Sequence, residues 1–144
     1  MTRLDTFGTW SLLVDDKTPH LACFISATPQ QSTPAAATRE APRAYISAWP
    51  KDGVKGEVSF RMGFPIKKDA DATAAVGATS VKLFAAGDKL FVADATQELK
   101  LIEAMKQGAQ VIVKATSERG TLVTDTYALN RLSQALQNLQ DTCF

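Results

Sequence analysis

Apolar and polar residues alternate along most of this chain. In Trp10–Asp15 the residues Trp10, Leu12 and Val14 take every second position, the pattern of a strand with one buried face. Leu21–Ala27 is a nearly continuous apolar run and reads as a second strand. Arg43–Trp49 is a third, with Tyr45 and Ser47 on one side and Ile46 and Ala48 on the other. Pro50-Lys51-Asp52-Gly53 stops it with turn chemistry, Pro fixing φ and Gly allowing a positive one. Glu57–Phe64 alternates most cleanly: Val58, Phe60, Met62 and Phe64 face one way, and Ser59, Arg61 and Gly63 the other. Ala72–Val76 is a weaker strand. Ser80–Phe84 and Lys89–Ala93 flank Ala85-Ala86-Gly87-Asp88 as a hairpin. Gln110–Ser117 and Thr121–Leu129 form another hairpin, around Glu118-Arg119-Gly120.

Two segments change period. Asp94 can cap a helix, with Gln97 at the capping-box position, Leu101, Ile102 and Met105 on one face, and Gly108 closing it. Asn130 is expected to cap a second, whose Leu132, Ala135, Leu136 and Leu139 follow the i, i+3, i+4, i+7 stripe. The segment Thr28–Pro42, rich in Pro, Gln, Ala, Ser and Thr, has no period. It is expected to be a long mobile loop, about 28–42, adding little to the core. The expected fold is mainly β: one domain over 1–144, a β-sandwich or partly open barrel of about eight strands. Two short helices, near 94–107 and 130–139, would lie against it.

Bulk composition narrows the function classes. A chain of 144 residues with 45% hydrophobic and 22% charged residues suits one globular domain. Sixteen basic residues against fifteen acidic ones leave a formal charge of +1, which gives no global electrostatic footprint for nucleic acid. Lys51, Lys55, Lys67 and Lys68 are answered by Asp69 and Asp71 and read as a solvated mixed-sign surface. No apolar run reaches the length of a transmembrane span, and the N-terminal residues do not form a signal peptide. The chain is therefore expected to be either cytoplasmic or a mature form whose export signal has been removed.

Candidate chemistry is sparse. His20 is the only histidine and forms a lone His-x-x-Cys with Cys23, too few ligands for a zinc site. No metal or cofactor is expected. No Gly-x-Ser-x-Gly, Gly-x-Gly-x-x-Gly or Walker sequence occurs, so neither a serine nucleophile nor a nucleotide cofactor has a signature. The carboxylates Asp15-Asp16, Asp69 with Asp71, and Asp88 with Asp94 all adjoin expected turns, where Asp is favoured for backbone hydrogen bonding. No catalytic residue is assigned. Trp10, Trp49, Phe60 and Phe64 have the spacing of packing residues, and Trp49, at a strand end, has partial exposure as a contact residue for its alternative. Cys23 and Cys143 are the only cysteines. They are either a disulfide tying the tail to the N-terminal part of the sheet or two reduced thiols, and the tail position of Cys143 favours the bridge.

Longer stretches carry a resemblance. Trp10, Cys23-Phe24 and Tyr45-Ile46-Ser47-Ala48-Trp49-Pro50 precede Leu101-Ile102-Glu103-Ala104-Met105-Lys106-Gln107-Gly108. Lys114-Ala115-Thr116-Ser117-Glu118-Arg119-Gly120-Thr121, Thr124-Asp125-Thr126-Tyr127-Ala128-Leu129, the last helix and a terminal Cys complete the order. Over nearly the whole chain this resembles the invasion associated locus B family of exported bacterial proteins. The resemblance implies a periplasmic or secreted β-rich domain whose signal peptide is absent here, and an oxidising compartment that supports a Cys23–Cys143 bridge. It supplies no catalytic residues. Many members have a second cysteine pair near the segment matching Phe84–Leu101, and this chain has none, so a role depending on that pair does not carry over.

The expected function is that of a non-enzymatic periplasmic or envelope-associated protein binding a protein, peptide or envelope component. A hydrolase-type enzyme with a carboxylate site assembled by the fold is one alternative, and a structural accessory subunit of an envelope complex is another. A deep polar pocket with convergent carboxylates would favour the enzyme, and a flat or grooved face the binding protein.

Overall fold

The alternation becomes a single antiparallel sheet. The structure, a computed structural model, describes residues 2–14, 23–34 and 39–143. Its strands are β1 (Thr2–Phe7), β2 (Trp10–Val14), β3 (Cys23–Ala27), β4 (Gln31–Thr33), β5 (Arg43–Trp49), β6 (Val54–Arg61), β7 (Ala72–Val76), β8 (Thr79–Ala86), β9 (Lys89–Val92), β10 (Gln110–Thr116) and β11 (Leu122–Ala128). They run across the sheet in the order β1-β2-β3-β5-β6-β9-β8-β7-β10-β11-β4. The expectation of about eight strands, nine of them named above, is corrected to eleven among the described residues. The strands missed are β1 and β4, which form the two edges of the sheet, and Arg3, Leu4, Asp5 and Thr6 of β1 are exposed. An edge strand without a buried face writes no alternation into its sequence.

The sheet curls around its own buried face. Ile25, Ile46, Val58, Phe60, Leu90, Val113 and Tyr127 from six strands enter one core. The Trp10 indole N–H donates to the Ala128 carbonyl at 2.8 Å, which ties β2 to the far strand β11. The Phe60 and Tyr127 rings meet with centroids 5.9 Å apart. Of the two expected architectures, the partly open barrel describes this curl. Because side chains alternate along every strand, the opposite set of positions forms a continuous outer face.

Helix α1 (Ala95–Gln107) starts where expected: the Asp94 carboxylate accepts the Gln97 N–H at 2.8 Å. Leu101 and Met105 are buried beneath it. Helix α2 (Leu132–Cys143) differs from the expected 130–139 at both ends. Arg131, with φ 65°, stands between Asn130 and the helix, so Asn130 is not the residue that opens it. At the other end the helix runs on through Cys143, whose sulfur is bonded to Cys23 of β3. The two α-carbons are 6.4 Å apart and 120 residues apart in sequence.

The segment expected to be a loop is tied at two points. Its Gln31–Thr33 pairs with Thr124–Thr126 as β4. Arg39, its side chain only 6% exposed, forms a two-pronged ion pair with the fully buried Asp125 at 3.0 and 2.6 Å. Its Nε also donates to the Met62 carbonyl at 2.8 Å, and its guanidinium lies 5.2 Å from the Phe64 ring centroid. The segment thus contributes a buried side chain that its composition did not announce. Next to it the Glu40 N–H donates to the Gly63 carbonyl at 3.0 Å. Gly63 has φ 78°, and a Cβ there would collide with the Glu40 carbonyl.

Candidate binding face

The register of the strands sets side chains from separate strands side by side on the outer face. Arg43 of β5 stands opposite Arg61 of β6, and Arg61 opposite Lys89 of β9. Three cations thus form a row across three neighbouring strands. Two residues along, a second row runs Ser26, Tyr45, Ser59, Phe91, Phe84 through the pairs Ser26–Tyr45, Tyr45–Ser59, Ser59–Phe91 and Phe91–Phe84. Two residues further, Ser47 pairs with Glu57. The face therefore reads cation, aromatic, then polar and acidic, in parallel stripes across the strands.

The aromatic stripe is exposed and ordered. Phe84 is 49% exposed, while Tyr45, Phe91 and the neighbouring Phe24 are half-buried. Phe24 meets Tyr45 edge to face at 5.6 Å, and Phe84 and Phe91 tilt together at 5.8 Å. The Lys89 ammonium reaches over β6 to lie 5.9 Å from the Tyr45 ring centroid. Ser26 and Ser59 lie buried in the same row. The Arg43 Nε donates to the Ser26 hydroxyl at 2.9 Å.

The charges of the row are unequally answered. Arg61 pairs with Glu40 and, at 3.3 Å, with Asp88. Among the described residues neither Arg43 nor Lys89 has a carboxylate partner. Like charges directly opposite on a sheet repel, a cost set here against the Arg43–Ser26 hydrogen bond and the ion pairs of Arg61.

Other openings look different. A cavity of about 430 Å³ is lined by Glu40, Phe64, Ile66, Lys68, Asp88 and Glu118 among others. It brings three carboxylates to one opening, but Glu40 and Asp88 are held by Arg61. A groove of about 340 Å³ lies between β6 and the helices, lined by Gly56, Glu98, Leu99, Ile102 and Leu136. Burial raises the pKa of Glu98 above its usual value, and the nearby Glu57 charge adds to this. The Val58 N–H, which donates to its carboxylate at 2.9 Å, pulls the other way.

The residues singled out from sequence are scattered. Cys23 and Cys143 come together as the disulfide. His20, Asp15 and Asp16 lie outside the described residues. Asp69 and Asp71 are exposed between the Ile66 bridge and β7, Asp94 caps α1, and Asp88 pairs with Arg61. Among the described residues no three His, Cys, Asp or Glu side chains gather as a metal site. Trp10 and Phe60 are fully buried, whereas Trp49 is 38% exposed at the outer end of β5. Sequence reasoning missed the cation row. The outward direction of Arg43, Arg61 and Lys89 was readable from alternation, but their adjacency depends on register.

No family model matches the chain, and no curated protein matches it either. Among solved structures it is similar to the crystal structure of invasion associated protein B from Bartonella henselae. The TM-score is 0.67 at 18% identity, over 94% of each chain. The chain therefore has the fold that its resemblance implied. No helix among the described residues is long and apolar enough to cross a membrane.

Proposed function

We propose that this chain is an extracytoplasmic, envelope-associated binding protein that works through the outer face of its sheet. The observation that carries this reading is the row Arg43, Arg61 and Lys89 beside the exposed aromatic row. A catalyst needs a positioned acid, base, nucleophile or metal. The outer face offers instead exposed and half-buried aromatic rings beside two cations that have no carboxylate partner among the described residues, which are features that recognition uses. The disulfide between the tail and β3 favours an oxidising compartment. The shared fold with an invasion associated protein agrees with that location.

The test is cosedimentation of the purified protein with envelope fractions of the producing cell, together with fractionation of that cell. The wild type is expected in the extracytoplasmic fraction and bound to the envelope material. A double variant, Arg43→Gln with Lys89→Gln, is expected to stay in the supernatant while keeping the wild-type circular dichroism spectrum at room temperature. Equal sedimentation of variant and wild type would remove the outer face from the function. Hydrolysis of envelope material that is lost in Glu118→Gln would place the work in the carboxylate-lined cavity instead.

A further inference from the structure

We propose that the outer face binds an anionic glycan, with sugar rings on the aromatic row and acid groups on the cation row. The inference deepens the binding-protein reading and rests on it. Tyr45 and Phe91 sit on β5 and β9 with β6 between them, so their strands are about 9.5 Å apart. Phe84 extends the row by one further strand, its ring centroid 5.8 Å from that of Phe91. A platform of this length is on the scale of a short oligosaccharide. A pyranose lays the C–H groups of one ring face on such a platform, an apolar contact that does not depend on its acidic substituents.

The stripes then fix how the chain lies. The cation row runs parallel to the aromatic row on one side, while Glu57 lies on the other. A glycan crossing the strands would turn its carboxylates or sulfates toward Arg43 and Lys89, the two cations of the row without a carboxylate partner among the described residues, and its neutral edge toward Ser47 and Glu57. Arg43 uses its Nε on Ser26, which leaves its two terminal amino groups to grip an oxyanion. Lys89 covers the Tyr45 ring and so stands at the edge of the open rings Phe91 and Phe84, within reach of an acid group on a sugar stacked there.

Two other polymers fit less well. A nucleic acid draws its affinity from many phosphates, yet the net charge of the chain is +1 and Glu40 and Asp88 stand on Arg61. A protein interface is depleted in Lys at its core, whereas here Lys89 lies over Tyr45 in the middle of the face.

Binding is measured by calorimetry with a hyaluronan oligosaccharide, a heparin oligosaccharide, a neutral chitin oligosaccharide of the same length, and oligothymidylate. The two acidic glycans are expected to bind, at least about tenfold more tightly than the chitin oligosaccharide. Hyaluronan and heparin separate a carboxylate preference from a sulfate preference. Arg43→Gln with Lys89→Gln should abolish that margin in a protein that keeps the wild-type circular dichroism spectrum, and a margin that survives would overturn the role of the cation row. Phe84→Ala, which removes the apolar contact of one exposed ring, should weaken all three glycans about tenfold. Tighter binding of oligothymidylate than of either acidic glycan would overturn the proposal in favour of nucleic acid. Absence of binding to every glycan by a protein that still sediments with envelope fractions would overturn the ligand class and spare the binding reading. Absence of both would overturn the two together.

Discussion

The Tyr127 hydroxyl lies in the core without a hydrogen-bond partner among the described residues. Burial holds it well above the usual phenol range, and the charge of Asp125 pushes the same way. An unsatisfied buried hydroxyl is a liability that the ring does not need. Tyr127→Phe keeps the contact with Phe60 and is expected to leave stability unchanged or raise it by up to about 1 kcal/mol, measured by urea unfolding. Arg39 and Asp125 behave in the opposite way. Arg39→Met leaves a buried carboxylate unpaired and should destabilise by about 3–5 kcal/mol. Adding Asp125→Leu should restore most of that loss, because two apolar side chains can replace a buried pair at little net cost. Neither expectation was open to the sequence alone. Asp125 has the alternation of a core position between Val123 and Tyr127, but its partner lies 86 residues away in a segment with no periodicity. The fully buried Phe60 and Trp10, by contrast, were legible from their alternation.

Elements were legible in proportion to how much of one face they bury. Strand β5 was read to its last residue, and β10 and β11 to within a residue or so, because each has three or more buried positions at period two. The edge strands β1 and β4 were not read at all, for the reason their exposure gives. A subtler edge lies inside the sheet. Strand β6 pairs with β9 only over Ser59–Arg61, so the first half of β6 has no neighbour on that side. Glu98 of α1 takes the Val58 N–H there and becomes a half-buried carboxyl with a raised pKa. A carboxyl whose folded pKa lies above its unfolded value holds its proton more tightly in the folded chain. Its contribution is therefore full below the ordinary value of 4.5 and is lost as the pH rises through the folded pKa. Glu98→Gln keeps an acceptor for Val58 and removes the titration. The variant is expected to gain on the wild type in chemical-denaturation stability as the pH rises from about 4 to about 7. A constant difference across that range would mean that Glu98 titrates alike in both states.

At the scale of the molecule, the last helix is held both by packing and by a covalent bond. Leu132, Ala135, Leu136 and Leu139 bury one stripe of α2, and its contacts reach β1, β2, β3 and β5 on the half of the sheet that begins the chain. The Cys23–Cys143 bond then closes a loop spanning 120 residues, nearly the whole chain. A cross-link of that span removes much of the freedom of the unfolded chain, about 4–5 kcal/mol in the entropy model. Because α2 already has a buried stripe, the bond is not needed to form the helix, and its loss should leave the secondary structure in place. Cys23→Ala with Cys143→Ala is therefore expected to give a wild-type circular dichroism spectrum at room temperature. Its stability should fall by about 4 kcal/mol, with a melting temperature lower on the order of 10 °C. The same fall should appear when the wild type is melted with a thiol reductant, and the reductant should not move the double variant further. Intact mass and thiol labelling of protein taken from an oxidising compartment should find no free thiol in the denatured chain. A double variant that melts with the wild type would show that packing of α2 alone constrains the tail. The outer face, on the side of the sheet away from this bond, should then bind its ligand equally well in the variant and the wild type below the lower melting temperature.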